Sequence, residues 1–292
     1  MCIRGVMKDG CWVDDPVVVK SEFFDHFRTR FAPFDGPSTW LGVDLPHRLS
    51  QGDSEGFEIP FSTEEIKKAV WDCGSDRAPG PDGFSFAFIK HFWYLLEPDI
   101  KVLVDEFYYS AHFPKGCNSS FIALIPKITD PKYVSDFRPI SLIGCQYKII
   151  GKLLANRLSG VIDGCVSRVQ SAFIKGRNIL DGPMILSEVM RWHRKIKRKL
   201  MVFKVDFENA YDSLRWDFLD LVMAEMGFGY KWRRWIEGCL LNARASVLVN
   251  GVPTAEFEIS RGLRQGDPLS PFLFILAMEG LNKCYYRKVF MG

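Results

Sequence analysis

The 292-residue sequence lacks paired cysteines: its eight, at positions 2, 11, 73, 117, 145, 165, 239 and 284, stand singly, and none forms a C-x-x-C unit. Neither a zinc ribbon nor a disulfide framework is suggested, and buried, reduced thiols of an intracellular protein are the reading that fits. No run reaches about 18 apolar residues, so no membrane span is expected. The opening MCIRGVMKDGCWVDD has no apolar core behind its basic residue. A signal peptide is therefore not expected, and the localisation reads as nucleus or cytoplasm. Missing too are Gly-x-x-x-x-Gly-Lys, G-x-S-x-G and H-E-x-x-H, which sets aside P-loop nucleotide hydrolysis, nucleophile-elbow hydrolysis and zinc peptidase chemistry as far as motifs can. There is no internal repeat and no low-complexity tract.

What is present is a globular composition, 47% hydrophobic, 14% aromatic and 25% charged. The net charge of +3 hides an asymmetry. Residues 1–110 carry 11 Lys and Arg against 19 Asp and Glu, a net of −8, whereas residues 111–292 carry 27 against 16, a net of +11. Only the second part can attract a polyanion on charge alone.

Along the chain, Val19, Phe23, Phe27 and Phe31 recur every fourth residue and predict a helix with a narrow apolar stripe. A loop rich in Pro, Gly, Asp and Ser follows from Phe34 to Gly56. Ser62 and Glu65 then read as a capping box ahead of Ile66, Ala69, Val70 and Cys73 at helical spacing. APGPDG (78–83) is punctured by two prolines and two glycines and is expected to be a shaped loop. Helices are expected around Phe84–Leu96, Pro98–Ser110 and Ile149–Leu158, and a buried strand at FIALIPK (121–127). From Met184 to Leu200 the pattern predicts a long helix, with Ile185, Val189, Trp192 and Ile196 on one side and Arg191, Arg194, Lys195 and Arg198 on the other. That basic face is either solvated surface or a phosphate-tracking face. MVFKVDF (201–207) reads as a strand expected to pair near Val247–Ile259, with a helix after it at Ser213–Met226. Asn250-Gly251 between two apolar runs is a hairpin signal. Gly262–Pro271 reads as a loop and Pro271–Leu281 as an apolar helix.

The chemistry concentrates around Asp206. Alternation along a strand would place Asp206 and Glu208 on one face, and a carboxylate at a strand end can hold a divalent metal; it can equally be a helix cap or a solvated charge. GLRQGDPLSP (262–271) adds a closely approaching backbone, a Gln amide and Arg264 for anionic groups. ALIPK (123–127) and FRPI (137–140) each set one cation beside a proline-stiffened turn. These are the parts of a phosphoryl-transfer site.

Seven segments then occur in one family's order: APGPDG, ALIPK, FRPISL, KLLANRL (152–158), QSAFIKGR (170–177), VDFENAYDSL (205–214) and GLRQGDPLSPFLF (262–274). Together they resemble the reverse transcriptase of non-LTR, LINE-type retrotransposons, most like the plant members, over nearly the whole chain. The resemblance implies an RNA-directed DNA polymerase with an α+β right-hand fold. It divides the chain into a connector (1–55), fingers with an N-terminal extension (56–200) and a partial palm (201–292), with the thumb absent. It implies that Asp206 is the first catalytic aspartate and a ligand of two magnesium ions, and that the Phe207 carbonyl also faces metal. Lys127 and Arg138 would hold the triphosphate. Tyr211 would stack under the sugar and exclude a 2′-hydroxyl, its alternative being a core aromatic. Gln265 and Gly266 would line the nucleotide and the template base. Gln170, Phe173 and Arg177 would touch template, with core or surface roles as the alternative. Glu208 and Asp212 are expected to orient the turn and cap the following helix.

An RNA template, a DNA primer and deoxynucleoside triphosphates are the implied partners. The family's Asp-Asp hairpin is expected beyond Gly292, with the remaining palm, the thumb and an endonuclease also outside the sequence. The expectation is therefore a fragment that does not polymerise by itself. The competing reading is a non-catalytic, nucleic-acid-binding remnant of such an element.

Overall fold

Val19, Phe23, Phe27 and Phe31 do form one buried stripe, and what they cover is the sheet that organises the molecule. This is seen in a computed structural model, which describes residues 2–37 and 45–290. A short hairpin, β1 (Val6–Lys8) and β2 (Cys11–Val13), precedes α1 (Pro16–Arg30), which Asp15 caps by accepting from the Val17 and Val18 amides. Of the loop expected at Phe34–Gly56, residues 38–44 lie outside the described ones, and its end forms α2 (Gln51–Phe57). The helix α3 (Thr63–Asp72) carries the expected capping box: Ser62 Oγ accepts from Glu65 N at 3.2 Å, and Glu65 Oε2 accepts from Ser62 N at 2.9 Å.

Next come α4 (Phe86–His91) and α5 (Trp93–Ser110), which break at Phe92 rather than at Pro98. Pro98 is exposed inside α5, where its missing N–H and the carbonyl it frees both face solvent. The strands β3 (Ser119–Pro126) and β4 (Phe137–Ile143) pair antiparallel, from Ser120↔Ile143 to Pro126↔Phe137. After them run α6 (Cys145–Ser159), α7 (Ile162–Cys165), α8 (Asp181–Lys195), α9 (Trp216–Glu225) and α10 (Tyr230–Leu240). The chain then returns to the sheet through β5 (Arg244–Val249), β6 (Val252–Pro253) and β7 (Phe257–Glu258), and ends its described part in α11 (Ser270–Phe290).

The sheet has the order β4-β3-β5-β6, with β7 also on β5. β3 and β5 are parallel, and Leu248↔Pro253 and Val249↔Val252 close the expected two-residue Asn250-Gly251 hairpin. One face of the sheet, with Ile122, Phe137, Val247 and Phe257, is buried under the α1 stripe. A second buried cluster joins α3, α5, α6, α10 and α11, with Trp232 and Trp235 fully inside. Helices and sheet are thus mixed in the α+β manner expected.

APGPDG earns its shape by clamping the joint between β4 and α6. A Cβ at Gly80 would collide with the Ile143 and Gly144 backbone. Two residues on, the Asp82 carboxylate accepts from the Cys145 amide at the first turn of α6, where a helix needs an acceptor.

The strand expected at Met201–Phe207 is not formed. Residues 201–207 carry no regular structure and are all exposed. Val247–Ile259 pairs instead with β3 and within itself. The physical reason is partnership. Met201, Phe203, Val205 and Phe207 alternate with Val202, Lys204 and Asp206, the pattern of a half-buried strand, but no described strand lies alongside to take the ladder bonds.

Candidate functional site

The segment that brings distant residues together is the loop from Gly262 to Leu269. Gly262 has a φ of +84°, and any Cβ there would strike the Asp212 carbonyl, so the loop can lie directly on the turn at 209–214. Leu263 N donates to Tyr211 O at 2.8 Å, Gly262 N to Leu214 O at 2.7 Å, and Trp216 Nε1 to Gly262 O at 2.7 Å. On its other side the loop is tied to β4, where Ser141 N donates to Gln265 O at 2.7 Å. Tyr211 is stacked on Phe274 of α11, with centroids 4.7 Å apart and planes at 15°. A cavity of about 280 Å³ opens here, and Tyr211, Gln265 and Gly266 all line it. Burial raises the Tyr211 phenol above its ordinary value, so it stays neutral.

Beneath this cavity lies a buried charge. Asp212 is 2% exposed; its Oδ2 accepts from Arg30 Nη1 at 3.2 Å and its Oδ1 from Gln265 Nε2 at 3.3 Å. Burial pushes its carboxyl pKa up, against the opposing pull of Arg30, the Gln265 amide and the charge of Lys127. The same surroundings act on His26, one turn before Arg30. Burial, then Arg30 and Lys127, lower its pKa to about 4, and its Nε2 has no hydrogen-bond partner among the described residues.

Lys127 therefore stands within electrostatic reach of Asp212 and His26, with its Nζ donating to Ser135 O at 2.8 Å. Arg138 sits opposite Ile125 in the β3–β4 ladder. Since Lys127 is two residues beyond Ile125, period-two alternation puts both cations on the same side of that ribbon. Both are exposed.

Other expected residues are placed differently. Asp206 and Phe207 lie in the irregular 201–207 segment, exposed, and Asp206 makes no hydrogen bond or ion pair among the described residues. A magnesium pair needs several oxygen ligands. The described residues hold no group of three His, Cys, Asp or Glu side chains arranged for a metal, and Asp212 is taken by Arg30. These described residues therefore do not fit two metal ions. Glu208 is exposed, and Asp212 does not cap α9, whose N-cap is Arg215 without a side-chain bond.

Arg264 is not available to anions. It is 6% exposed, donates to Asn118 O and Cys239 O at 3.2 Å each, and lies 4.0 Å over the Tyr147 ring. Arg177 is likewise occupied by the Asp163 carboxylate and by the Ser167 and Gln170 carbonyls, which makes it a staple of its own loop. Gln170 Nε2 donates to Ala172 O at 3.3 Å, while Phe173 is 64% exposed at a φ of +60°. The expected basic helix is shorter than Met184–Leu200: α8 stops at Lys195, Lys197 takes a φ of +53°, and Arg198 follows the helix. No residue of α8 is buried, so its apolar side is as open as its basic one. Arg191 pairs with Glu188, while Arg194 and Lys195 make no side-chain bond among the described residues.

Two features escaped sequence reasoning. Arg30 has no motif, and its partner lies 182 residues away. The second is a cleft of about 240 Å³ that shares Gly266 with the first cavity and is walled in part by Arg77, Lys148 and Lys152. The i, i+4 spacing of the two lysines on α6 was the available signal.

Comparison with known proteins gives the chain a family. The profile of the family described as reverse transcriptase (RNA-dependent DNA polymerase) matches residues 125–291. The chain is similar to the transposon TX1 uncharacterized 149 kDa protein of Xenopus laevis, 27% identical over 290 residues, which cover 98% of this chain and 22% of that protein. It is also similar to the retrovirus-related Pol polyprotein from the type-2 retrotransposable element R2DM of Drosophila melanogaster (29% identical, 83% of this chain, 23% of that one). A third relative is the corresponding type-1 R2 polyprotein of Nasonia vitripennis (26% identical, 79% and 22%). The chain spans about a fifth of the length of these relatives. All three are animal proteins, so the expected likeness to plant members finds no support in them. A match over residues 125–291, more than half of the chain, places it in a family: the chain belongs to the reverse transcriptases, alongside those of non-LTR retrotransposons of the R1, R2 and TX1 kind.

Proposed function

We propose that these residues form the nucleotide- and template-holding part of an RNA-directed DNA polymerase of a non-LTR retrotransposon. The observation that carries this reading is the loop 262–269, which ties the Tyr211 turn to β4 and so sets a stacked ring and a free amide edge in one cavity, joined to the strand that carries Arg138. A deoxynucleoside triphosphate uses each of them. Lys127 and Arg138 take the phosphates, the Tyr211 ring lies under the sugar and leaves no room for a 2′-hydroxyl, and Gln265 with Gly266 meets the base pair. Charge-assisted bonds from two cations are the strong part of such an arrangement.

Asp206 is the carboxylate offered to a divalent ion such as magnesium, with the Phe207 carbonyl beside it; Asp206 alone does not hold a pair. In this reading residues 56–200 serve as fingers and 201–292 as palm, behind a 1–55 connector. Exposed Phe173 and the unpaired Arg194, Lys195 and Arg198 are left to contact an RNA template–DNA primer duplex, and Gln170 and Arg177 to shape the loop that presents them.

The test is template-directed binding. With an RNA template annealed to a DNA primer, the deoxynucleoside triphosphate complementary to the first unpaired template base is expected to bind at least about tenfold more tightly than the other three. Equal binding of all four contradicts a polymerase site and leaves the non-catalytic remnant. With the family's Asp-Asp hairpin, palm and thumb appended, magnesium-dependent extension is expected, and Asp206→Asn is expected to abolish it.

A further inference from the structure

We infer that Arg30, in the helix that precedes the matched reverse transcriptase region, is a positioning residue for the nucleotide, acting through Asp212 on the amide of Gln265. This deepens the proposed function and rests on it, because it requires Gln265 to face the nucleotide.

The argument is one of hydrogen-bond polarity. A primary amide has two ends, an acceptor oxygen and a donor NH₂, and a half-turn about its terminal side-chain bond exchanges them. A nucleotide therefore meets either an acceptor or a donor unless something fixes the rotation. Asp212 fixes it. An ionised carboxylate only accepts, so it holds the NH₂ of Gln265, as seen in the 3.3 Å contact to Oδ1. The amide oxygen is then the atom left over, and no described residue donates to it. Gln265 lines the cavity, so the nucleotide is offered a fixed acceptor, suited to a sugar hydroxyl or a ring N–H.

Asp212 can do this only while it is ionised, and it is 2% exposed. Burial alone would favour the neutral acid, whose O–H could donate and reverse the amide. Arg30 supplies the opposing charge. Its side chain is 13% exposed, its Nη1 lies 3.2 Å from Oδ2, and its guanidinium carbon lies over the Phe27 ring, 5.4 Å from the centroid. Arg30 is itself held in place from the other end of the site, since Arg261 Nε donates to the Arg30 carbonyl at 2.8 Å. α1 thus enters the nucleotide site without touching the nucleotide.

The experiment is a double-mutant cycle in nucleotide affinity on the full 292-residue chain. The probe is a fluorescent deoxynucleoside triphosphate, with the thermal midpoint recorded alongside. Gln265→Ala is expected to weaken binding about tenfold. Asp212→Asn, which keeps the shape but ends the fixed polarity, is expected to weaken it about fivefold. The double variant is expected to be no weaker than Gln265→Ala alone, because both changes remove one interaction. Arg30→Lys, which keeps the charge, is expected to retain most of the affinity that Arg30→Gln loses.

A merely structural pair gives a different pattern: losses that add, and affinities that follow the thermal midpoint. That pattern overturns the inference while leaving the nucleotide site intact. If Gln265→Ala binds as the parent does, Gln265 does not face the nucleotide, and the inference falls together with that part of the proposed function.

Discussion

At the scale of single residues, the site shows which parts a chain can advertise. Tyr211, Gln265 and Gly266 sit in local motifs and do line one cavity. Arg30 and Asp212 were not legible as a pair, because nothing local announces an ion pair across 182 positions. How Arg264 and Arg177 are used was not legible for a related reason. A cation's motif says that it is needed, and only the fold shows that carbonyls and a carboxylate consume its donors.

The buried pair predicts stability. Arg30→Ala leaves Asp212 enclosed without its cation and is expected to cost about 3 kcal/mol by urea unfolding at pH 7. An unchanged midpoint would remove the pair from the account. Asp206→Asn, at an exposed and unbonded position, is expected to shift stability by less than about 0.5 kcal/mol. The pH dependence separates two signs. The folded Asp212 pKa is raised above its ordinary 3.8. Its contribution is therefore fully present below that value and lost as pH rises through the folded one, so Asp212→Asn should gain on the parent as pH increases. The folded His26 pKa is lowered, from 6.5 to about 4. The parent should then lose about 1 kcal/mol, after allowance for solvent screening, as pH falls between those values. His26→Gln should flatten that fall.

At the scale of elements, local grammar was read well and partnership poorly. The Ser62–Glu65 capping box, the Asn250-Gly251 hairpin and the α1 stripe each rest on interactions within a few residues, and each is present. The 201–207 segment has a strand's composition, but a strand is completed by the neighbour it bonds to, and composition does not name the neighbour. Hydrogen exchange gives the direct check. The amides of 201–207 are expected to exchange near the unstructured rate, and those of Ile122 and Val247, inside the ladders, at least about a thousandfold more slowly. Protection of 201–207 comparable to β3 would show that the segment is paired. The APGPDG clamp makes a second prediction. Gly80→Val drives a side chain into the Ile143–Gly144 backbone and is expected to cost at least about 2 kcal/mol, whereas Gly56→Val, with open space around it and no left-handed backbone, costs less.

At the scale of the whole molecule, charge and architecture agree. The +11 carried by residues 111–292 includes exposed Lys127 and Arg138 on one side of the β3–β4 ribbon, and Lys148 and Lys152 in the cleft that shares Gly266 with the cavity, while α8 leaves both its faces open. Single-stranded RNA should therefore bind with an affinity that falls with salt, each phosphate contact contributing about 0.7 to the log–log slope. Replacing Lys148 and Lys152 together by Gln should lower that slope by about 1.4 if both meet phosphates. The central claim is narrower than nucleic-acid binding: a cation just beyond β3, a cation on β4 and a loop from beyond β7 are proposed to make one triphosphate site. Titration of the 292-residue chain with a deoxynucleoside triphosphate tests it most directly, run beside the Lys127→Gln, Arg138→Gln double variant. The account predicts saturable binding that the double variant weakens at least about tenfold, with the thermal midpoint unchanged. Equal affinity in the two proteins, or no binding by the parent, would contradict it.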